Sequence, residues 1–428
     1  MRIRRTAMAA VLALGVSLLG VPGTAAAAED AVTLSTTFND PIGTSSRMNA
    51  IRDQLISLIK RTPPGEEIRG TVFLFTDDAV RNALLEAKKN GVKVMVILDH
   101  QSDNTAEGGE FEHLRDGMDP VNHPELGLGG AVFSEGSWVM TCPATRACIG
   151  DRDLNGDDDG GVPINHNKFF LFSKVGSTPN VVFQTSANLT GTKNVTYYNN
   201  AVTIPDAKLY ASYAGYFQDL RTMGKTWNGN DNYYRTEDVG AYKTYFFPRH
   251  ETGGTYKTDP DTDTVVSLLS NVSCPKQGPK TQVRVAMYAF TRPQVADSLT
   301  RLKSEGCQVE VVQHDEVDPE TKGKTLGDAV REKLGAPGAI DHFATCFGHA
   351  DNADGTTRRV GVHSKYLLVE GTYRDVAGSK VVFTGSHNYT FPNLRSNDET
   401  LLKISNSAVH DAFKANFETV KASRICTG

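Results

Sequence analysis

The strongest constraint on this chain is that it repeats itself. VFLFTDDAVRNALLEAKKNGVKVMVILD, from Val72, matches AMYAFTRPQVADSLTRLKSEGCQVEVVQHD, from Ala286. Phe75-Thr76 aligns with Phe290-Thr291, and Gly91 with Gly306 at the same distance. Each copy reads as an apolar strand, an amphipathic helix, a glycine stop and a second strand. Further on, Asn188 aligns with Asn388, Ile204 with Ile404 and Phe217 with Phe417, at a constant offset of 200. The halves run from 29 to 235 and from 236 to 428, with WNGNDNYYRTEDVGAYKTYFF as the linker. Strands alternating with helices predict an α/β class, with a mixed sheet in each half. Very apolar strands such as VMVIL (94–98) fit a sheet covered on both faces. Two such halves in one chain are expected to share a cleft, where sites form. They also remove the need for a dimer, so a monomer is expected.

The first 28 residues have a basic start, an apolar middle and a run of small residues, the pattern of a secretory signal peptide. No later segment has the roughly 18 consecutive apolar residues that spanning would need, so no stable membrane insertion is expected. The signal carries three Arg and no Lys, Asp or Glu, so 42 basic residues face 50 acidic ones in the remainder, net −8. That balance argues against nucleic acid, which calls for a basic face. Six cysteines in an exported chain favour disulfides over metal thiolates. Cys142 and Cys148 are close enough to clip a short loop, and sequence alone does not pair Cys274, Cys307, Cys346 and Cys426.

One constellation occurs in both halves. His166 and Lys168 open the apolar run FFLF, and His363 and Lys365 open YLLV. Alternate strand residues share a face, so each His projects with its Lys. A small polar cluster follows: TSAN with Ser186 and Asn188, and GSHN with Ser386 and Asn388. The Asn lies 22 residues after His166 and 25 after His363. A lone HxK is ordinarily a solvated strand edge; its repetition with SxN points to two half-sites facing one another.

These residues resemble the phospholipase D superfamily, whose motif is HxKxxxxD followed by GSxN, twice per active site. Secreted actinomycete-type enzymes are the nearest likeness. The resemblance implies a duplicated α/β/α sandwich with one active site at the interface of the halves. The departures are Ser173 and Glu370 at the motif Asp positions, and TSAN for GSxN in the first copy. Many members also carry a Glu eleven residues past the Asn that holds the catalytic His; here Glu399 stands in the second copy and Asn199 in the first.

The residue types suit attack on a phosphodiester. Lys168 and Lys365 supply fixed positive charge to the non-bridging oxygens, and Asn188 and Asn388 supply N–H donors. Such donors do what other phosphodiesterases assign to metal ions, so no metal or other cofactor is expected. One His attacks phosphorus; the other protonates the leaving alcohol. The expectation pairs Glu399 with His363, raising its pKa as general acid, and Asn199 with His166, leaving it neutral as nucleophile. Ser186, Ser386 and Asn199 are expected to contact substrate. The function so read is a secreted, extracellular phospholipase D that cleaves a phospholipid at a membrane or micelle surface and exchanges head groups through a phosphohistidine. The alternatives are a nuclease of the same superfamily and a non-catalytic lipid-binding descendant.

Three other signals carry less. DRDLNGDDDGG (151–161) resembles a calcium loop but has Val162 where the pattern needs Glu, and reads as a solvated acidic loop. The aromatics from Trp227 to Phe247 read as packing between halves before lipid contact. His100, His314 and His387 have no repeated partner and read as structural.

Overall fold

The computed structural model describes residues 30–103, 109–118, 136–153, 161–191, 196–314, 327–352 and 354–428. The signal segment and most of the acidic loop (154–160) lie outside the described residues.

Each half of the chain builds a mixed sheet around the strand that follows its HxK. In the first, Lys168–Val175 is central, antiparallel to Thr178–Thr185 and to Glu67–Val72. Glu67–Val72, Lys93–Leu98 and Trp138–Thr141 run parallel on one side; Asn200–Pro205 and Ser35–Phe38 complete the other. The second half repeats this: Lys365–Tyr373 lies between Gln282–Met287 and Val376–Gly385, with Gln308–His314 and His342–Asp351 parallel beyond. The expected α/β fold with two mixed sheets is what the chain adopts.

The segment read as a linker is not one. Arg235–Val239 and Tyr242–Phe246 form an antiparallel hairpin, and Tyr242–Phe246 pairs with Thr400–Ser405. It gives the second sheet the edge that Ser35–Phe38 gives the first through Asn200–Pro205. Tyr242, Tyr245, Phe246 and Phe247 are all buried, so these aromatics are core residues.

Local chemistry repeats with the topology. Asp206 and Asn406 cap matching helices, Ala207–Met223 and Ser407–Lys421, by accepting the amides of Leu209 and Val409. Gly91 and Gly306, read as helix stops, have φ of 87° and 108°, where a side chain would be strained. These two helices pack between the sheets. Phe413 sits edge-on to Phe38 of the first half (5.0 Å) and to Tyr366 of its own half (5.1 Å), while Tyr216 stacks on Phe246 at 4.2 Å. One core therefore contains apolar side chains of both halves, and each half has a further core on its outer face.

All six cysteines are paired, as Cys142–Cys148, Cys274–Cys307 and Cys346–Cys426. Among the described residues, no helix is long and apolar enough to cross a membrane.

Phe413 is fully buried where the halves meet. Phe413→Ala should cost about 3–5 kcal/mol in urea titration, the range for an aromatic deleted from a packed core. A loss below about 1 kcal/mol would mean the halves do not depend on this contact.

Candidate active site

The two HxK strands start side by side in space, and both pairs are buried. His166 and His363 are 6% and 9% exposed, and Lys168 and Lys365 are each 1%. Each ammonium donates to the carbonyl of its own histidine, Lys365 Nζ to His363 O at 2.7 Å and Lys168 Nζ to His166 O likewise. Each also lies over an aromatic face, Lys168 over Phe73 (5.1 Å) and Lys365 over Tyr288 (5.2 Å). The same rings wall the imidazoles, at 5.1 Å for Phe73 with His166 and 4.6 Å for Tyr288 with His363.

The partners of the histidines are crossed between halves, which corrects the sequence expectation. Glu399 Oε1 lies 2.7 Å from Nδ1 of His166, not of His363. Asn199 Oδ1 lies 3.0 Å from Nδ1 of His363, not of His166. The cause is backbone pairing. Gly361 and Val362 bridge in parallel to Tyr197 and Tyr198, and the His363 amide donates to Tyr198 O at 2.9 Å. In the same way Asn165 bridges to Asp398, and the His166 amide donates to Asp398 O at 3.0 Å. The next residue along, 199 or 399, is thus delivered to the imidazole of the opposite half. A second crossed pair tightens the seam: Thr400 Oγ1 donates to Asn167 Oδ1, and Asn200 Nδ2 to Thr384 Oγ1, both at 2.7 Å.

The serines are also corrected. Ser186 and Ser386 are fully buried behind the histidine partners. Ser186 Oγ donates to Asn199 Oδ1 at 2.9 Å, and Ser386 Oγ donates to Glu399 Oε2. Each serine thus braces the residue that holds a histidine, a contact within the fold where the sequence reading expects one with substrate. Asn388 is buried, and its Oδ1 accepts the Ala289 amide at 3.4 Å. Asn188 is half-buried, and its Oδ1 has no hydrogen-bond partner among the described residues.

Ser173 and Glu370, where the motif has Asp, sit away from the histidines. Ser173 Oγ donates to Glu66 and accepts the Glu67 amide, both at 2.7 Å. Glu370 accepts Lys414 Nζ at 2.7 Å. Both serve the far part of the strand, so the departures leave the site unaltered.

Electrostatically the site is short of negative charge. Burial pushes both imidazoles well below the usual histidine range, and both lysines push the same way. Burial lowers Lys168 to about 7 against the pull of Glu399 and Asp99, and burial and the charge of Lys168 hold Lys365 well below the usual lysine range. Burial raises Glu399 to about 7 against the two lysines, Ser386 and Asn393. A bound anion with several oxygens would favour the charged forms of the two lysines and the two imidazoles.

Residues that the repeat did not single out complete the site. Asn393 Nδ2 donates to Glu399 Oε1 and lies 3.3 Å from His166 Nδ1. Asp398 is fully buried and raised to about 8 by burial, although its carboxylate accepts the amides of Ile149 and Gly150. Gly150 is required there, since a Cβ would lie 1.8 Å from Ser396 O. Cys142–Cys148 clips this same loop. Among the described residues, the one close group of potential metal ligands is Cys142, Cys148 and Asp398, whose sulfurs are bonded to each other.

Comparison with known proteins follows from this geometry. A family model described as "Cardiolipin synthase, PLD-like domain" matches residues 55–221 and 277–421, one segment in each half. The chain belongs to the phospholipase D-like family. Its members are phosphodiesterase-type enzymes, and each matched segment contains one of the two His-Lys-Asn sets. Among solved structures, phosphatidylserine synthase of Haemophilus influenzae is similar at 13% identity and a TM-score of 0.54, over 92% of this chain and 86% of that one. Polyphosphate kinase of Porphyromonas gingivalis is similar at 14% identity and a TM-score of 0.52, over 91% of this chain and 51% of that one. The chain therefore spans about half the length of that kinase. No curated protein matches the sequence.

Inorganic phosphate should stabilise the protein through the two lysines. At about 100 times its Kd the gain is about 2.7 kcal/mol, seen as a rise in Tm. Lys168→Ala and Lys365→Ala should each abolish the rise. An equal rise in both variants would place the anion elsewhere.

Proposed function

We propose that the protein is a secreted phospholipase D that cleaves the bond between phosphatidate and its head group and passes through a phosphohistidine. The observation that carries this reading is the crossed, unequal pairing of two buried imidazoles between two buried lysines. Export is supported by the signal-like first 28 residues and by three disulfides, which persist in oxidising compartments.

His166 acts as nucleophile. Glu399 as carboxylate accepts the Nδ1 hydrogen, which leaves the Nε2 lone pair for attack. As the N–P bond forms, positive charge develops on the ring, and the carboxylate offsets it. This reverses the reason given by sequence, where neutrality of the partner selected His166, but keeps the assignment. Lys168 and Lys365 take the growing charge on the non-bridging oxygens, and the amides of Asn188 and Asn388 add donors.

His363 acts as general acid and then base. Asn199 Oδ1 accepts its Nδ1 hydrogen, so a second proton resides on Nε2 and passes to the leaving alkoxide as the P–O bond breaks. Water then loses a proton to His363 and attacks phosphorus, and the P–N bond breaks with its electron pair returning to His166. An alcohol replaces water without other change, so head-group exchange accompanies hydrolysis. An amide oxygen adds no charge to stabilise the imidazolium, so the acid form of His363 is favoured only at low pH or by the bound phosphodiester.

Two outcomes are expected. With EDTA present, phosphatidylcholine vesicles should release choline, and added ethanol should divert product to phosphatidylethanol. Intact lipid beside cleaved single-stranded DNA would overturn the lipid reading. Asn199→Asp should raise the pKa of His363. The acid form is lost as pH rises through that pKa, so the alkaline limb of kcat should move to higher pH. An unmoved limb would remove His363 from the acid role.

A further inference from the structure

Among the described residues, three large hydrophobic side chains are exposed: Trp227 at 87%, Val376 at 61% and Val162 at 37%. Val376 lies at the hairpin joining Lys365–Tyr373 to Val376–Gly385, at the end of the sheet opposite the catalytic lysine. The other two lie on segments tied to the backbone around Asp398, whose carbonyl accepts the His166 amide. Val162 is two residues from Ile164, whose carbonyl accepts the Asp398 amide at 3.0 Å. Trp227 lies on the loop that packs against Ile149–Asp151, of which the Ile149 and Gly150 amides bind the Asp398 carboxylate.

The Trp227 loop is fastened on both sides of the indole. Before it, Arg146 donates to the carbonyls of Met223 (3.0 Å) and Thr226, and Thr226 Oγ1 donates to Asn228 O at 2.7 Å. After it, Gly229 N donates to Asp151 Oδ2 at 2.9 Å and Asn230 N to Ile149 O at 2.6 Å. Gly229 is pressed so close that a Cβ would lie 2.2 Å from Ile149 O. The loop therefore holds its indole out in water, at 87% exposure. The remaining aromatics from Tyr233 to Phe247 are buried or half-buried, so Trp227 alone among them faces outward.

We infer that Trp227, with Val162 beside the same site, seats the enzyme on a zwitterionic phospholipid surface. This rests on the lipid reading above and adds how the substrate is reached. A bilayer presents phosphodiesters at the depth where an indole partitions, between head group and acyl chain. The loop carries Lys225 and Asp231 and packs on Asp151, and the residues after the first 28 carry net −8, so charge gives no pull toward an anionic surface. Without a spanning helix among the described residues, the contact is interfacial and reversible.

The chain has two tryptophans, and Trp138 is buried against Phe217, which makes the test direct. Phosphatidylcholine vesicles with brominated acyl chains should quench about half of the indole emission of the full-length mature protein, and Trp227→Ala should abolish quenching. The variant should lose about tenfold in turnover of vesicles while keeping its rate on monomeric short-chain phosphatidylcholine; Trp227→Phe should restore part of the loss. Normal monomer turnover with no quenching, or equal vesicle rates in both proteins, overturns the docking. Failure to cleave the monomeric lipid instead sinks the catalytic reading, and quenching then still decides the docking by itself.

Discussion

Two lysines buried in one site, with a single carboxylate held against one of the two histidines, set the terms for everything else in this molecule. Lys168 and Lys365 are almost wholly out of water, and like charges there are costly. The fold tolerates them because each donates to a fixed carbonyl, lies over an aromatic ring and shares the field of Glu399. The buried cationic groups lack a matching number of anions. Their natural complement is an anion with several oxygens at one centre, which describes a phosphodiester.

Duplication alone would give two equal half-sites, and two equal half-sites would not divide labour. Inequality enters at one aligned position, with Asn199 in the first copy and Glu399 in the second. Because the backbone carries each of these residues to the opposite imidazole, the first-half histidine gains the charged partner and the second-half histidine the neutral one. The Cys142–Cys148 clip acts on the same side of the site. It restrains the loop whose amides hold Asp398, and Asp398 holds the His166 backbone.

Much of this was legible in the sequence, and the parts that were not have a common cause. A constant offset of 200 exposes strands, caps and the histidine partners, because duplication preserves local chemistry. The offset is silent about which half a strand lies beside, so Glu399 was matched to the wrong histidine and Tyr242–Phe246 was read as linker. Ser186 and Ser386 were read as facing substrate because a hydroxyl beside an active-site Asn looks available; the fold turns both inward. Phe73 and Tyr288 could have been found, since each stands two residues before the aligned Phe75 and Phe290. Asn393 could not, because its role depends on the turn between Phe391–Arg395 and Glu399.

The crossed pairing is open to a direct measurement. In protein with 15N-labelled histidine, the ring nitrogen shifts of His166 and His363 report tautomer and charge separately. Replacing Glu399 by Gln should move the His166 signals and leave those of His363 in place. Movement of His363 with His166 unchanged would contradict the account.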